Sequence, residues 1–285
     1  MTRALTFVLG CAALLAVAFG IGRVAGPVDV EPASAADHAH GADDEGTHAG
    51  HDVGGLTATQ DGYTLHLLTD GATTAAQGLR FQVLDAAGEP VTAYDEQHER
   101  DLHLIVVRRD LTGFQHVHPT LAADGTWSVP LELTPGAWRV AADTQPTGAE
   151  PLVLGADLLV PGQFAPQPLG EDRLDAAVDG YDVTLGGSIV AGRSALLTAT
   201  VTRDGQPVTD LQPYLGAYGH LVSMREGDLG YLHVHPEEGA AGPAVSFATA
   251  FPTAGRYRLF LDFRHGDVVR TAAFTVTVEA GEHEH

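Results

Sequence analysis

Two stretches of the chain carry side chains able to hold a metal ion, in a repeated order. Asp101 to Pro119 reads DLHLIVVRRDLTGFQHVHP, and Gly219 to Pro236 reads GHLVSMREGDLGYLHVHP. Each ends in His-Val-His-Pro, and each has a further histidine thirteen residues ahead of the first of that pair. Neutral imidazole is a ligand for Zn(II), Cu(II) and Ni(II), and three imidazoles leave a fourth position open. In the second stretch Gly227-Asp228 between strand-like residues predicts a two-residue hairpin loop. The register that follows sets His220 opposite His235 and Val222 opposite His233. The same register carried to the first stretch, where Asp110-Leu111 is a poorer tight turn, sets His103 opposite His118 and Ile105 opposite His116.

Opposed residues on paired strands have Cβ atoms about 4.5–5.5 Å apart, and residues two apart on one strand project to one side about 6.5–7 Å apart. His103, His116 and His118 therefore form one candidate site, and His220, His233 and His235 a second, each at the edge of an apolar face. A lone strand histidine more often hydrogen-bonds a neighbouring backbone and does nothing else. Three on one face, matched in both copies, favour metal. Without thiolate ligands the choice falls first on copper, where divalent affinity peaks, and next on zinc. Met224, four residues after His220 on its face, offers a soft ligand that would suit Cu(I). His98 and His265 have no counterpart in the other copy and are further candidate ligands.

These histidines need strands to position them, and the chain supplies short apolar runs broken by Gly, Asp and Pro, such as YTLHLL, LRFQVLD, LHLIVVR and WSVPLEL. Runs of this length and spacing predict an all-β sandwich, with no convincing helical periodicity beyond the N-terminus. The pattern recurs: Gly88-Glu89-Pro90-Val91 returns as Gly205-Gln206-Pro207-Val208, and TPGAWRV returns as TAGRYRL. The expected organisation is two tandem sandwich repeats over 54–162 and 175–280, joined by a Pro/Gly-rich linker over 163–174. Ahead of them stand an apolar signal or anchor helix (1–25) and a His/Asp-rich disordered tract (26–53), and a His-rich tail (281–285) follows. The apolar run Ala4 to Gly22 is nearly long enough to span a bilayer, so an uncleaved anchor with the body outside is favoured over secretion after cleavage. Cys11, the one cysteine, lies in that run, so the body holds no disulfide and no thiolate ligand.

With 15 basic and 37 acidic residues the net charge is -22. That surface repels nucleic acid and attracts cations. No phosphate loop, nucleophile elbow or paired-acid motif is present, so an enzyme is not expected. Two readings stand: an extracytoplasmic carrier or buffer of copper or zinc, and an envelope module that binds a protein partner and whose histidines are structural.

HERDLHLIVVRRDLTGFQHVHP, PYLGAYGHLV and GDLGYLHVHP resemble secreted or membrane-anchored, mostly actinobacterial proteins labelled YtkA-like or heavy-metal-binding. The resemblance covers about Leu56 to Val278. It implies an extracytoplasmic immunoglobulin-like or cupredoxin-like sandwich and adds support for metal.

Overall fold

A computed structural model describes residues 53–281. The expected N-terminal helix over 1–25 with Cys11, the His/Asp-rich tract up to residue 52, and residues 282–285 of the tail lie outside the described residues. Among those described, no helix is long and apolar enough to cross a membrane.

The architecture is all-β in two repeats, as the alternating runs predict. The first repeat comprises β1 (Thr59–Gln60), β2 (Tyr63–Leu67), β3 (Leu79–Leu84), β4 (Leu102–Arg108), β5 (Gln115–Val117), β6 (Thr120–Leu121), β7 (Trp127–Val129), β8 (Gly136–Thr144) and β9 (Leu152–Val160). One sheet runs β1-β2-β3-β7-β6 and the other β5-β4-β8-β9. Leu79, Phe81, Leu104, Trp127, Trp138 and Leu154 fill the space between them.

The second repeat comprises β10 (Asp175–Val178), β11 (Tyr181–Gly186), β12 (Ser194–Arg203), β13 (Gln206–Pro207), β14 (His220–Arg225), β15 (Tyr231–Pro236), β16 (Ala244–Ala250), β17 (Gly255–His265) and β18 (Val268–Val278). Its strands follow one continuous path, β10-β11-β12-β16-β15-β14-β17-β18, with β13 beside β12. The path is continuous because β15 changes partners: Tyr231 to Val234 pair with β14, while His235 and Pro236 pair with β16. In the first repeat the corresponding segment is cut in two. β5 pairs with β4 and β6 with β7, and His118-Pro119 falls at the cut. A prolyl nitrogen cannot donate to a ladder, which suits a corner where the chain leaves one sheet for another.

One short helix, α1 (Gly71–Gln77), lies between β2 and β3. Asp70 caps its start by accepting from Thr73 N–H at 2.7 Å, and Gly78 ends it at φ 87°. Only Gly71 and Thr74 are buried, too few to show a helical period in the sequence.

A third apolar core lies between the repeats. Ile105, Val107, Leu111 and Ala141 of the first meet Val222, Met224, Leu229, Tyr231 and Phe260 of the second. Phe114 and Phe260 stack there with centroids 4.0 Å apart and planes at 9°. The segment leading into the first repeat is threaded through the same seam. Gly54 exchanges two backbone hydrogen bonds with Tyr231 on β15, at 2.9 and 3.0 Å, while Gly55 N–H donates to Val153 and Gly155 N–H to Thr57 on the β9 side. The Arg139 guanidinium adds a bond to the Gly55 carbonyl at 2.6 Å.

Candidate metal centre

The hairpin registers bring the first trio together. Ile105 faces His116 and Leu104 faces Val117, and in the second repeat Val222 faces His233 and Leu221 faces Val234, as expected. The loop differs from expectation. Arg225 N–H donates to Gly230 O, and Leu229, at φ 62°, donates to Arg225 O, so the connection is four residues, Glu226 to Leu229. Moving both ends of the loop by one residue leaves the pairing unchanged. In the first repeat Leu111 occupies the matching left-handed position, at φ 60°.

His103, His116 and His118 each offer a ring nitrogen, and the three atoms lie within 4.8 Å of one another. Nδ1 of His103 is 3.0 Å from Nε2 of His116 and 3.3 Å from Nε2 of His118. Ring centroids are 5.3 Å apart for His103–His116, 5.0 Å for His103–His118 and 5.0 Å for His116–His118. With metal–nitrogen bonds of about 2.0–2.1 Å, rings around one tetrahedral ion stand about 5 Å apart, centroid to centroid. The three separations match that arrangement.

The other ring nitrogens assign the tautomers. Nε2–H of His103 donates to the Gln97 carbonyl at 2.9 Å, which leaves the lone pair of neutral His103 on Nδ1. Nδ1–H of His116 donates to Oδ2 of Asp262 at 2.8 Å, leaving its lone pair on Nε2. Nδ1 of His103 and Nε2 of His116 thus face each other at 3.0 Å, a separation that a shared cation, proton or metal ion, bridges. Donation of the second ring N–H to a carbonyl or carboxylate is how metal-ligating histidines are generally held.

The carbonyl comes from a turn that recurs. Gln97 and Arg100 exchange backbone hydrogen bonds around His98 (φ 47°) and Glu99 (φ 63°), and Tyr214 and Ala217 do the same around Leu215 (φ 54°) and Gly216 (φ 78°). Two consecutive left-handed residues are uncommon outside such tight turns. Each turn aims its first carbonyl at the buried histidine of its repeat, and His220 Nε2–H donates to Tyr214 O at 2.7 Å.

His220 joins the first trio's surroundings. Its ring centroid is 6.4 Å from that of His116 and 5.8 Å from that of His98, and it lines one small cavity with His103 and His116. A second site at the apolar edge of the second repeat was expected to hold His220. The strand faces that carry Ile105 and Val107 in the first repeat and Val222 and Met224 in the second cover one another in the seam, which sets His220 beside the first trio. His233 faces Val222 as expected, whereas His235, expected opposite His220, pairs with Ala248 of β16; the side chains of both lie outside the description.

The further candidates separate. His98 sits at the rim, its ring centroid 6.1 Å from that of His103, on the wall of an open cleft that also includes Glu237 and Glu238. Met224 is fully buried among apolar residues of the seam. His265 is committed elsewhere, with Nδ1 2.6 Å from the Tyr181 hydroxyl and Nε2 3.1 Å from Asp210, so both its nitrogens already have partners.

Burial pushes the His118 imidazole down to about 3, assisted by the neighbouring His116 and His103. It pushes His220 down to about 4, against the opposing effect of the Tyr214 carbonyl. Tyr214, whose ring lies beside both His118 and His220, is raised by burial and by the Asp262 charge and stays protonated. His118 and His220 are therefore neutral near pH 7, the form of imidazole that binds metal.

Sequence reasoning missed Asp262 and Tyr214. Asp262 interrupts the apolar run LFLDF on β17 and is the strand partner of His220, as Asp143 is of His103. Each of these two aspartates accepts from a side chain of the other repeat, Asp143 from Tyr231 at 2.7 Å and Asp262 from His116 at 2.8 Å. An acidic residue at the same place in both copies of an apolar strand was the available signal.

Comparison with known proteins gives a family and little else. The chain belongs to a family described as a domain of unknown function, DUF8832, which matches it twice, over residues 58–153 and 176–280. No curated protein matches the chain. Among solved structures it is similar to a DUF4426 family protein from Pseudomonas aeruginosa, at 11% identity and TM-score 0.29 over 39% of this chain and 98% of that one. The FN1–FN3 domains of chicken CNTN1 are similar at 8% identity and TM-score 0.22, over 70% of this chain and 62% of theirs. An amphioxus IgVJ-C2 molecule is similar at 12% identity and TM-score 0.18, over 66% and 93%.

Proposed function

We propose that this member of the DUF8832 family is an extracytoplasmic metal-binding protein, held at the membrane by its N-terminal apolar run, that carries or buffers copper. His103, His116 and His118, set on an immunoglobulin-like sandwich, are the primary ligands. The observation that carries this reading is the convergence of three imidazole nitrogens at 3.0 and 3.3 Å, with the remaining nitrogens of His103 and His116 donating outward. Copper stands ahead of zinc because the ligands are nitrogens without thiolate and divalent affinity peaks at Cu(II). The cleft walled by His98, Glu237 and Glu238 is a cation-attracting way in. His220, His233 and His235 are the second ligand set. The resemblance to YtkA-like proteins points the same way.

Equilibrium dialysis of the chain from Val53 to Gly281, which holds all three apolar cores, tests the reading with Cu(II) and Zn(II) at neutral pH. Unmutated protein and His66→Ala take up metal equally, since His66 is exposed on β2. His118→Ala loses uptake, and adding His235→Ala loses more. Equal uptake by all four proteins, or none by the unmutated one, ends the reading.

A further inference from the structure

We infer that Asp262 of the second repeat is the positioning residue for the metal centre of the first, so that ion binding and the docking of the repeats are linked. The inference rests on the reading of His103, His116 and His118 as ligands.

The contact is built for the task. Asp262 Oδ2 accepts from His116 Nδ1 at 2.8 Å, and both side chains are only 5% exposed. Its other oxygen, Oδ1, accepts from the Thr271 hydroxyl on the neighbouring strand β18, which fixes the carboxylate plane. The carboxylate thereby selects the His116 tautomer with its lone pair on Nε2, the nitrogen that faces His103 and His118. Among the described residues, that Nδ1 bonds to Asp262 of the second repeat and to no side chain of the first. His116 is on a three-residue strand, β5, paired on one side to β4, so its own sheet restrains the ring less than a long central strand would. The second repeat thus supplies the outer partner of a ligand that the first repeat carries.

Linkage makes the effect reciprocal: whatever factor Asp262 adds to ion affinity through the docked arrangement, the ion returns to docking. Loss of such an outer partner costs metal sites about 10–100-fold in affinity.

The test measures Cu(II) and Zn(II) dissociation constants by chelator competition on the same 53–281 chain. Asp262→Ala weakens binding about 10–100-fold. Asp262→Asn weakens it less, because the amide oxygen still accepts from Nδ1–H while the charge is gone. His66→Ala, exposed on β2 outside the cluster, leaves affinity within about twofold of the unmutated value. The Cu(II) electron paramagnetic resonance spectrum changes its nitrogen coupling in Asp262→Ala, where His116 can present either nitrogen. A merely structural role for Asp262 leaves that spectrum unaltered. If Asp262→Ala fails to fold, Asp262→Asn and Thr271→Ala carry the same test. Undiminished affinity in the Asp262 variants, or an equal loss in His66→Ala, overturns the inference while the metal reading stands. Absence of binding by the unmutated chain removes the metal reading itself.

Discussion

Acid should destabilise the metal-free fold through His220, and by an amount the structure allows one to work out. His220 is held near pKa 4, chiefly by burial, against an ordinary value of about 6.5 in the unfolded chain. Because the folded pKa is depressed, the unfolded state binds more protons between those values, so stability is complete above about pH 6.5 and falls as pH drops toward 4. Two and a half pKa units at about 1.36 kcal/mol each, less the partial titration at either end, leave about 2.5–3 kcal/mol lost between pH 7 and pH 4 from this group. For a unit of this size each kcal/mol shifts the melting temperature by about 2–4 °C, so His220 accounts for about 5–12 °C. His118 acts in the same direction with a weaker effect per unit shift, since it is less enclosed. The assay is calorimetric melting in the presence of a chelator, from pH 7 to pH 4, of the unmutated protein and of His220→Gln. The amide of Gln can still donate to the Tyr214 carbonyl but does not titrate. The His220→Gln curve should be flatter by the amount given. Parallel curves would refute the assignment of the depressed pKa to His220 and, with it, the picture of a closed, proton-excluding seam.

Two further outcomes bear on the seam and on the N-terminus. A Cβ at Gly155 would lie 1.8 Å from the Gly55 carbonyl oxygen, so Gly155→Ala should expel the Val53–Thr57 segment and cost about 3 kcal/mol, or about 6–12 °C in melting temperature. Gly239→Ala, where a Cβ meets nothing within 4 Å, should melt unchanged. Full-length protein should stay with membranes through a carbonate wash, because hydrophobic insertion does not depend on surface charge; a mature N-terminus near Ala36 in a soluble fraction would count against the anchor.

Strand register was legible in the sequence because it depends on parity. Gly227-Asp228 marked the centre of a hairpin, and although the loop is two residues longer than a tight turn, its centre is the same, so Val222 still faces His233. The transfer of that register to the first repeat held because the two copies share the spacing between the leading histidine and the pair, even though Arg108 N–H bonds Thr112 O around a different loop. What sequence spacing could not reveal is which surface the histidine faces meet. Alternation says that Ile105, Val107, Val222 and Met224 need cover, and either a sheet of the same sandwich or another body can give it. Here the cover is the other repeat, which is why Met224 is spent on packing, why His220 lies beside His103 and His116 of the first repeat, and why Asp262 was overlooked. Its partner, His116, is 146 residues away and belongs to another repeat. The pairing of Gly54 with the second repeat escaped for a related reason. Val53 read as the end of the tether and Gly54 as the start of the first repeat, yet glycine is what lets this backbone lie against Gly155 on one side and Tyr231 on the other.

The two copies also differ where they meet, and the differences share out the labour of the site. Where the second repeat has Tyr231, whose hydroxyl bonds Asp143, the first has Phe114, whose ring stacks on Phe260. Where the first has His98 over the cluster, the second has Leu215 in the same turn. A duplicated structural histidine would need only its own carbonyl partner, and His103 and His220 each have one, from Gln97 and Tyr214. His116 has no such need met within its own repeat. A histidine kept only for packing has little use for a buried carboxylate drawn from the other sandwich, since burying that charge is costly unless it is well partnered. A histidine that holds one nitrogen toward two others would have a definite use for it, and that is the role proposed for Asp262, opposite His220 on β17.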